Sequence, residues 1–250
     1  MPFTRPRHWL RWLIGAIVVL VVLGVGGPFV YIHFFNGSTP AALSLPTASS
    51  SVSSSSGGTT PSTPSGTAAA STAASGSLAG TYRVGSGSVV GYRVNEVLLG
   101  QSTTAVGRTT SVTGHLTIAG STATAAAFSV PMDTVHSDKS ERDGQFDGRI
   151  MDVSQYPTGT FTLTSAIVLA PLPATGAIKR YTADGKLTLH GVTRTQRVEA
   201  HLKIFQDGIL LGGTCPLHLS DYNIQNPSVG GFVTTQDHGL LEFLLVFSKA

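Results

Sequence analysis

The 250-residue chain carries 12% charged residues, 29 glycines and a single cysteine, Cys215. This composition excludes a small disulfide scaffold, a Cys-based zinc or iron–sulfur centre within one chain, a coiled coil and a charge-rich disordered protein. The net charge of +3 belongs to Arg5, Arg7 and Arg11; no Lys, Arg, Asp or Glu follows until Arg83, and from there onward acids and bases are equal in number. Without a basic excess in the globular part, the counterion-release term that drives nucleic-acid binding is missing, and no nucleic-acid partner is expected.

Residues 1–11 form a basic arm. Trp12–Tyr31 is a run of 20 uncharged residues, and at about 1.5 Å per residue a helix of that length crosses the ~30 Å hydrocarbon core. Trp9, Trp12, Tyr31, Phe34 and Phe35 stand at its two ends, as membrane-interface aromatics do, and the arginines flank only the N-terminal end. The sequence predicts a transmembrane signal-anchor over residues 12–35, with the arm in the cytoplasm and the C-terminal domain outside it. Cleavage near Thr39–Ala42 is the alternative, disfavoured by a run that is too long and by bulky residues where small ones are required.

Residues 36–79 are almost entirely Ser, Thr, Ala, Gly and Pro, without a charge or an aromatic ring. Such a segment buries too little apolar surface to offset its ordering entropy, so a disordered linker is expected, with a reach of about 35–40 Å. Its Ser/Thr beside Pro also matches the composition of O-glycosylated stalks.

From Gly80 the pattern becomes period-two. Val198, Ala200, Leu202 and Ile204 alternate with Arg197, Glu199, His201 and Lys203, the signature of a half-buried strand. Lys186–His190 repeats it, and Gly191-Val192-Thr193 turns one strand into the next. Further strands are expected at Thr81–Val84, Ser88–Val97, Ser111–Ala119, Ala123–Pro131, Thr160–Leu169, Ile209–Asp221 and His238–Ser248. One segment breaks the rhythm: Ser137 as N-cap followed by Glu141, Arg142 and Asp143 predicts a short helix through Phe146. The expectation is an all-β domain over residues 80–250, eight antiparallel strands closed into a barrel with one short helix; a sandwich is the alternative.

Ser140-Glu-Arg-Asp143, Phe146, Met151-Asp152, Tyr156-Pro157 and Phe161, followed by Gly185-Lys-Leu-Thr-Leu-His-Gly-Val-Thr-Arg194, resemble in order and spacing the paired signature of the YceI-like family. Ser220-Asp-Tyr-Asn-Ile224 and the stretch from Gly230 to Phe247 fall where that family has its last strands. The resemblance covers Gly80 to Ala250 and implies an extended lipocalin-like barrel, usually exported, that holds a long isoprenoid-type chain. Val90–Glu96 departs from the family, whose members often carry a histidine in this strand.

Little in the motifs points to catalysis, and no enzyme is expected. No G-x-S-x-G elbow occurs. Cys215 reads as a small buried hydrophobe; a nucleophile, or a dimerising thiol and with it a homodimer, is the alternative. No histidines stand at i, i+2 or i, i+4, and parity places His190 and His201 toward water; no metal is expected. The acidic segment Asp138–Asp152 lacks the order of a calcium loop. Candidate cavity residues are the inward apolar ones: Val94, Leu116, Phe128, Phe146, Phe161, Leu163, Leu187, Leu189, Leu217, Phe232, Phe243 and Leu245. Phe205 is out of phase with the aliphatic face of its strand. Arg142 and Asp143 are candidate head-group contacts, with a salt bridge and helix cap as their structural role.

The combined reading is a membrane-tethered binding protein for a hydrophobic chain, with no cofactor beyond a bound isoprenoid quinone or polyprenyl lipid. The alternative is a scaffold with a filled barrel whose loops, Asn223–Gly231 among them, bind a protein or cell-wall partner.

Overall fold

Val198, Ala200, Leu202 and Ile204 are buried to between 2% and 6% exposure, whereas Arg197 and Glu199 between them face solvent. This alternation recurs through the domain and decides which side of each strand turns inward. The computed structural model describes residues 39–46, 78–98, 100–205, 208–228 and 233–250; the expected basic arm and transmembrane helix lie outside them. Its elements are β1 (Gly80–Val84), β2 (Val89–Leu98), β3 (Gln101–Thr109), β4 (Thr113–Ala119), β5 (Thr122–Pro131), α1 (Ser140–Gln145), β6 (Thr158–Leu163), β7 (Ile167–Val168), β8 (Ile178–Leu189), β9 (Val192–Phe205), β10 (Gly208–His218), β11 (Val233–Thr235) and β12 (His238–Lys249).

Eight strands, β1, β4, β5, β6, β8, β9, β10 and β12, form an antiparallel ring that closes where β1 meets β12. The architecture is thus the barrel and not the sandwich. β2 continues β1 along the same partner: β1 pairs with the end of β12 and β2 with its first half. Between them the chain bends at Gly85–Ser88, and Ser88 repairs the ladder there. Its hydroxyl donates to Gly85 O at 2.8 Å and accepts from Val246 N at 2.9 Å, with only 2% of the residue exposed.

The structure corrects several strand expectations. β3 was not anticipated, because Gln-Ser-Thr-Thr-Ala-Val-Gly-Arg-Thr reads as a loop; it is ordered by pairing with β2 over its whole length. β8 begins at Ile178, since every residue to Leu189 has a partner on β9 despite an Asp184-Gly185 that resembles a turn. Thr160–Leu169 breaks after Leu163, and Ile209–Asp221 ends at His218 before a single 3-10 turn. The N-cap of α1 is Lys139, not Ser137; a π-helical turn, Phe146–Ile150, follows it.

The β8–β9 hairpin turns on His190 and Gly191, both at positive φ, 48° and 74°, the backbone of a type I′ turn. His190 is consequently a turn residue, half-buried, with Nδ1 3.2 Å from Tyr222 O and its ring 4.5 Å from that of Tyr156. It does not simply face water.

Residues 39–46 fall within the segment expected to be a disordered linker, and these eight correct that expectation, because they lie against the barrel's outer wall. Arg93 Nη2 donates to Pro40 O at 2.7 Å, Arg108 Nη2 donates to Ala41 O, Leu43 N donates to Glu242 Oε2 at 3.2 Å, and Lys203 Nζ donates to Pro46 O at 2.6 Å. Leu45 is 6% exposed and rests over Gly212, where a Cβ would stand 3.2 Å from its Cγ. Glu242, whose side chain is 0% exposed, also takes Arg108 Nη2 at 2.6 Å and Arg93 Nε at 3.4 Å. Arg108 reaches it across Gly91, which lies between them in the register.

A β-branched residue at Gly191 combines a positive φ with a Cβ 2.5 Å from the Tyr156 ring. Gly191→Val is expected to destabilise the domain by about 1–3 kcal/mol, read as a lower urea midpoint by circular dichroism.

Candidate functional site

The inward faces enclose a cavity of about 320 Å³, at the small end of ligand-sized pockets. Two packed clusters bound it. One, at the far end, gathers Leu116, Ile118, Ile209, Leu245 and Phe247; the other, at the mouth, gathers Met132, Phe146, Met151, Leu187, Leu189 and Leu217. Between them the wall carries small side chains, Ala183, Val198 and Cys215, with Ala126 and Ala200 also on the lumen.

Four aromatic rings lie over glycines of neighbouring strands. A Cβ would stand 2.3 Å from the Tyr92 ring at Gly107, 2.5 Å from Phe128 at Gly114, 2.2 Å from Phe161 at Gly185 and 2.6 Å from Phe243 at Gly213. Tyr92–Gly107, Phe128–Gly114 and Phe243–Gly213 are direct register partners. With no side chain beneath it, each ring lies close to the wall, and the lumen stays open where a barrel of this strand number would otherwise fill with side chains.

At the mouth β3 lies outside the ring, paired with β2. Among the described residues its outer edge makes one bridge, Arg108 with His136, and the segment from Met132 to Tyr156 lies over this end of the lumen. Phe146 stacks on Tyr92 at 5.3 Å between centroids. Behind this lid is the polar end of the lumen. Arg142 Nη2 meets Glu96 Oε1 at 3.1 Å and its Nη1 pairs with Asp138. Burial works to lower the Arg142 pKa, but Glu96 and Asp138 more than offset it and the guanidinium titrates above its ordinary value. Burial is also the main cause that lifts the Tyr92 phenol to about 12, so both groups keep their neutral-pH forms.

The lumen is lined by Val94, Leu116, Phe128, Phe146, Phe161, Leu163, Leu187, Leu189, Leu217, Phe243 and Leu245, and at its mouth by Arg142. Phe232 lies outside the described residues. Asp143 is not on the lumen, which corrects its expected place beside Arg142: its Oδ1 accepts from Ser137 N at 2.8 Å and Ser137 Oγ at 2.7 Å, holding the turn before α1. Phe205 is half-buried, its ring packed toward Gly208.

Sequence reasoning missed the small wall residues and the lumen-facing Tyr92, Tyr181 and Leu241. The usable signal was alanine and glycine at inward parity, as in Ala123–Ala127 and at Gly213. No cluster of metal-ligating side chains occurs among the described residues.

Residues 82–247 match the YceI-like domain family. The chain belongs to it. Solved structures share the fold, the following two among them. One is a polyisoprenoid binding domain from Saccharophagus degradans implicated in plant cell wall breakdown, at 14% identity and a TM-score of 0.55, covering 68% of this chain and 98% of that one. The other is BcnA from Burkholderia cenocepacia, at 20% identity and a TM-score of 0.50, covering 64% and 95% respectively. No curated protein matches the chain. Within the YceI-like fold, this barrel places Tyr92, Glu96 and Arg142 around its mouth and mainly apolar or small residues deeper in, where the Tyr181 hydroxyl is satisfied by donating to Leu169 O at 2.8 Å.

Two outcomes follow from this geometry. Burial pushes the Cys215 thiol up to about 11, so iodoacetamide should label it slowly at pH 8, faster as pH rises toward that value, and at once in urea; mass spectrometry reads the adduct. Gly107→Ala should leave the circular dichroism spectrum intact while pushing the Tyr92 ring into the lumen, and uptake of an apolar fluorophore should fall several-fold.

Proposed function

We propose that this protein is a membrane-tethered, extracytoplasmic binding protein that holds a long hydrophobic chain of isoprenoid type in its barrel and catalyses no reaction. The observation that carries this reading is the lumen of about 320 Å³, predominantly apolar along its depth, with the Arg142–Glu96 ion pair at its mouth. An elongated apolar ligand with one polar end fits that gradient. Each buried methylene-equivalent contributes about 0.8 kcal/mol, so some ten of them supply about 8 kcal/mol before the costs of association. Few polar contacts are then needed, and Arg142 with Glu96 suffices to orient a head group.

Membership of the YceI-like family and the polyisoprenoid binding described for the Saccharophagus domain support the ligand class. The apolar Trp12–Tyr31 run with arginines before it supports the tether and the location. A scaffold with a filled barrel, the alternative drawn from the sequence, is at odds with the open lumen.

The test is native mass spectrometry with organic extraction of protein purified from a host rich in isoprenoid lipids. A stoichiometric adduct of isoprenoid mass is expected. Ala200→Phe, which fills the middle of the lumen with an apolar ring, should abolish the adduct, whereas Lys186→Ala on the solvated face of β8 should not. A clean apo mass that persists after incubation with quinones and polyprenyl lipids would overturn the assignment.

A further inference from the structure

The Thr39–Pro46 segment has a direction. Pro40 sits at Arg93, level with Leu240, and Ala41 at Arg108, level through Gly91 with Glu242, toward the mouth end of β12, while Pro46 sits at Lys203, level through Leu210 with Val246 near its far end. The chain therefore reaches the barrel from the mouth side and runs away from it. Downstream, Leu78 packs on the far-end cluster and accepts a hydrogen bond from Tyr82, so the chain meets the barrel both at Pro46 and at Leu78, on either side of residues 47–77. The stretch between those two points does not set the distance of the barrel from the expected span.

Only the residues before Pro40 can do that. From Phe35, the end of the expected span, to Pro40 is a reach of at most about 17 Å at some 3.5 Å per residue, less than half of what a free 44-residue linker would allow. We infer that residues 39–46 are a strap that clamps the barrel beside the bilayer surface with its mouth turned toward the lipid, so that a hydrophobic chain passes between membrane and lumen over a short path. The inference rests on the anchor reading above and adds an orientation to it. Each strap contact has a built partner: Glu242, buried, receives Leu43 N, and Gly212 leaves the seat that Leu45 fills.

β12 has 12 residues, and a strand of that length, tilted as barrel strands are, spans about 30 Å of height. A short-range quencher on lipid headgroups separates its two ends. In a Cys215→Ala background, fluorophores at Ser102→Cys, beside the mouth, and at Ala250→Cys, at the far end, are compared in the full chain reconstituted into phosphatidylcholine vesicles containing spin-labelled headgroups. The Ser102 position should be quenched several-fold more than the Ala250 position, and Leu43→Pro with Leu45→Asp should remove that difference while circular dichroism and flotation stay unchanged.

Equal quenching in the intact chain, stronger quenching at Ala250, or a difference that survives the strap variant overturns the strap's role alone. A chain that does not float with vesicles, or an N-terminus found cleaved near Thr39–Ala42, overturns the anchor reading and the orientation with it. Hydrogen exchange at the Leu43 amide reads the strap without any membrane: slow exchange in detergent, accelerated at least tenfold by Leu45→Asp, is expected, and fast exchange in the intact chain overturns the docking.

Discussion

A closed sheet requires each strand to serve two neighbours, and β12 is where this meander meets itself. One of its edges pairs with β10 over eleven consecutive positions; the other is shared between β1 and β2. The bend that divides β1 from β2 would leave the Val246 amide and carbonyl without partners in the ladder. Ser88 supplies one through its hydroxyl, and Gly85 N supplies the other at 2.8 Å. Closure thereby hides the backbone edges that an open sheet would expose.

The two faces of β12 then do different work because side chains alternate. Leu241, Phe243, Leu245 and Phe247 point into the apolar interior, and Glu242 points out. An outward carboxylate is ordinarily solvated, yet this one is buried, because two guanidinium groups and a stretch of the N-terminal segment cover it. Its charge is matched at hydrogen-bond distance by Arg93 and Arg108, the condition under which a buried ion is tolerated. The inside of the barrel and its outer attachment are thus served by alternating side chains of one strand.

The open lumen is a packing result. Eight-stranded barrels hold enough side-chain volume to fill themselves, and the large residues here are concentrated at the two ends. Rings laid over Gly107, Gly114, Gly185 and Gly213, with Ala126, Ala183 and Ala200 between them, leave the middle vacant. The charged groups stay at the mouth, where Glu96, Arg142 and Asp138 satisfy one another. An apolar chain entering past them meets no polar group that must be desolvated without compensation, and its burial alone provides the driving force.

The sequence by itself determined which residues face inward wherever alternation was strict, as in Val198–Ile204 and Leu187–Leu189. It also determined, through its ordered motifs, the family and the barrel. Local periodicity is a short-range property, and a strand's own residues report it. The tertiary structure decided the rest. β3 is polar enough to read as a loop and is a strand only because β2 offers it an edge; Asp143 has the right chemistry for a head group and spends it on Ser137. The strap was invisible to composition, since Thr-Pro-Ala-Ala-Leu-Ser-Leu-Pro buries little alone, and its order comes from a carboxylate 199 residues away. Whether the barrel is hollow depended on glycines facing rings across strands, a relation between residues that no single segment contains.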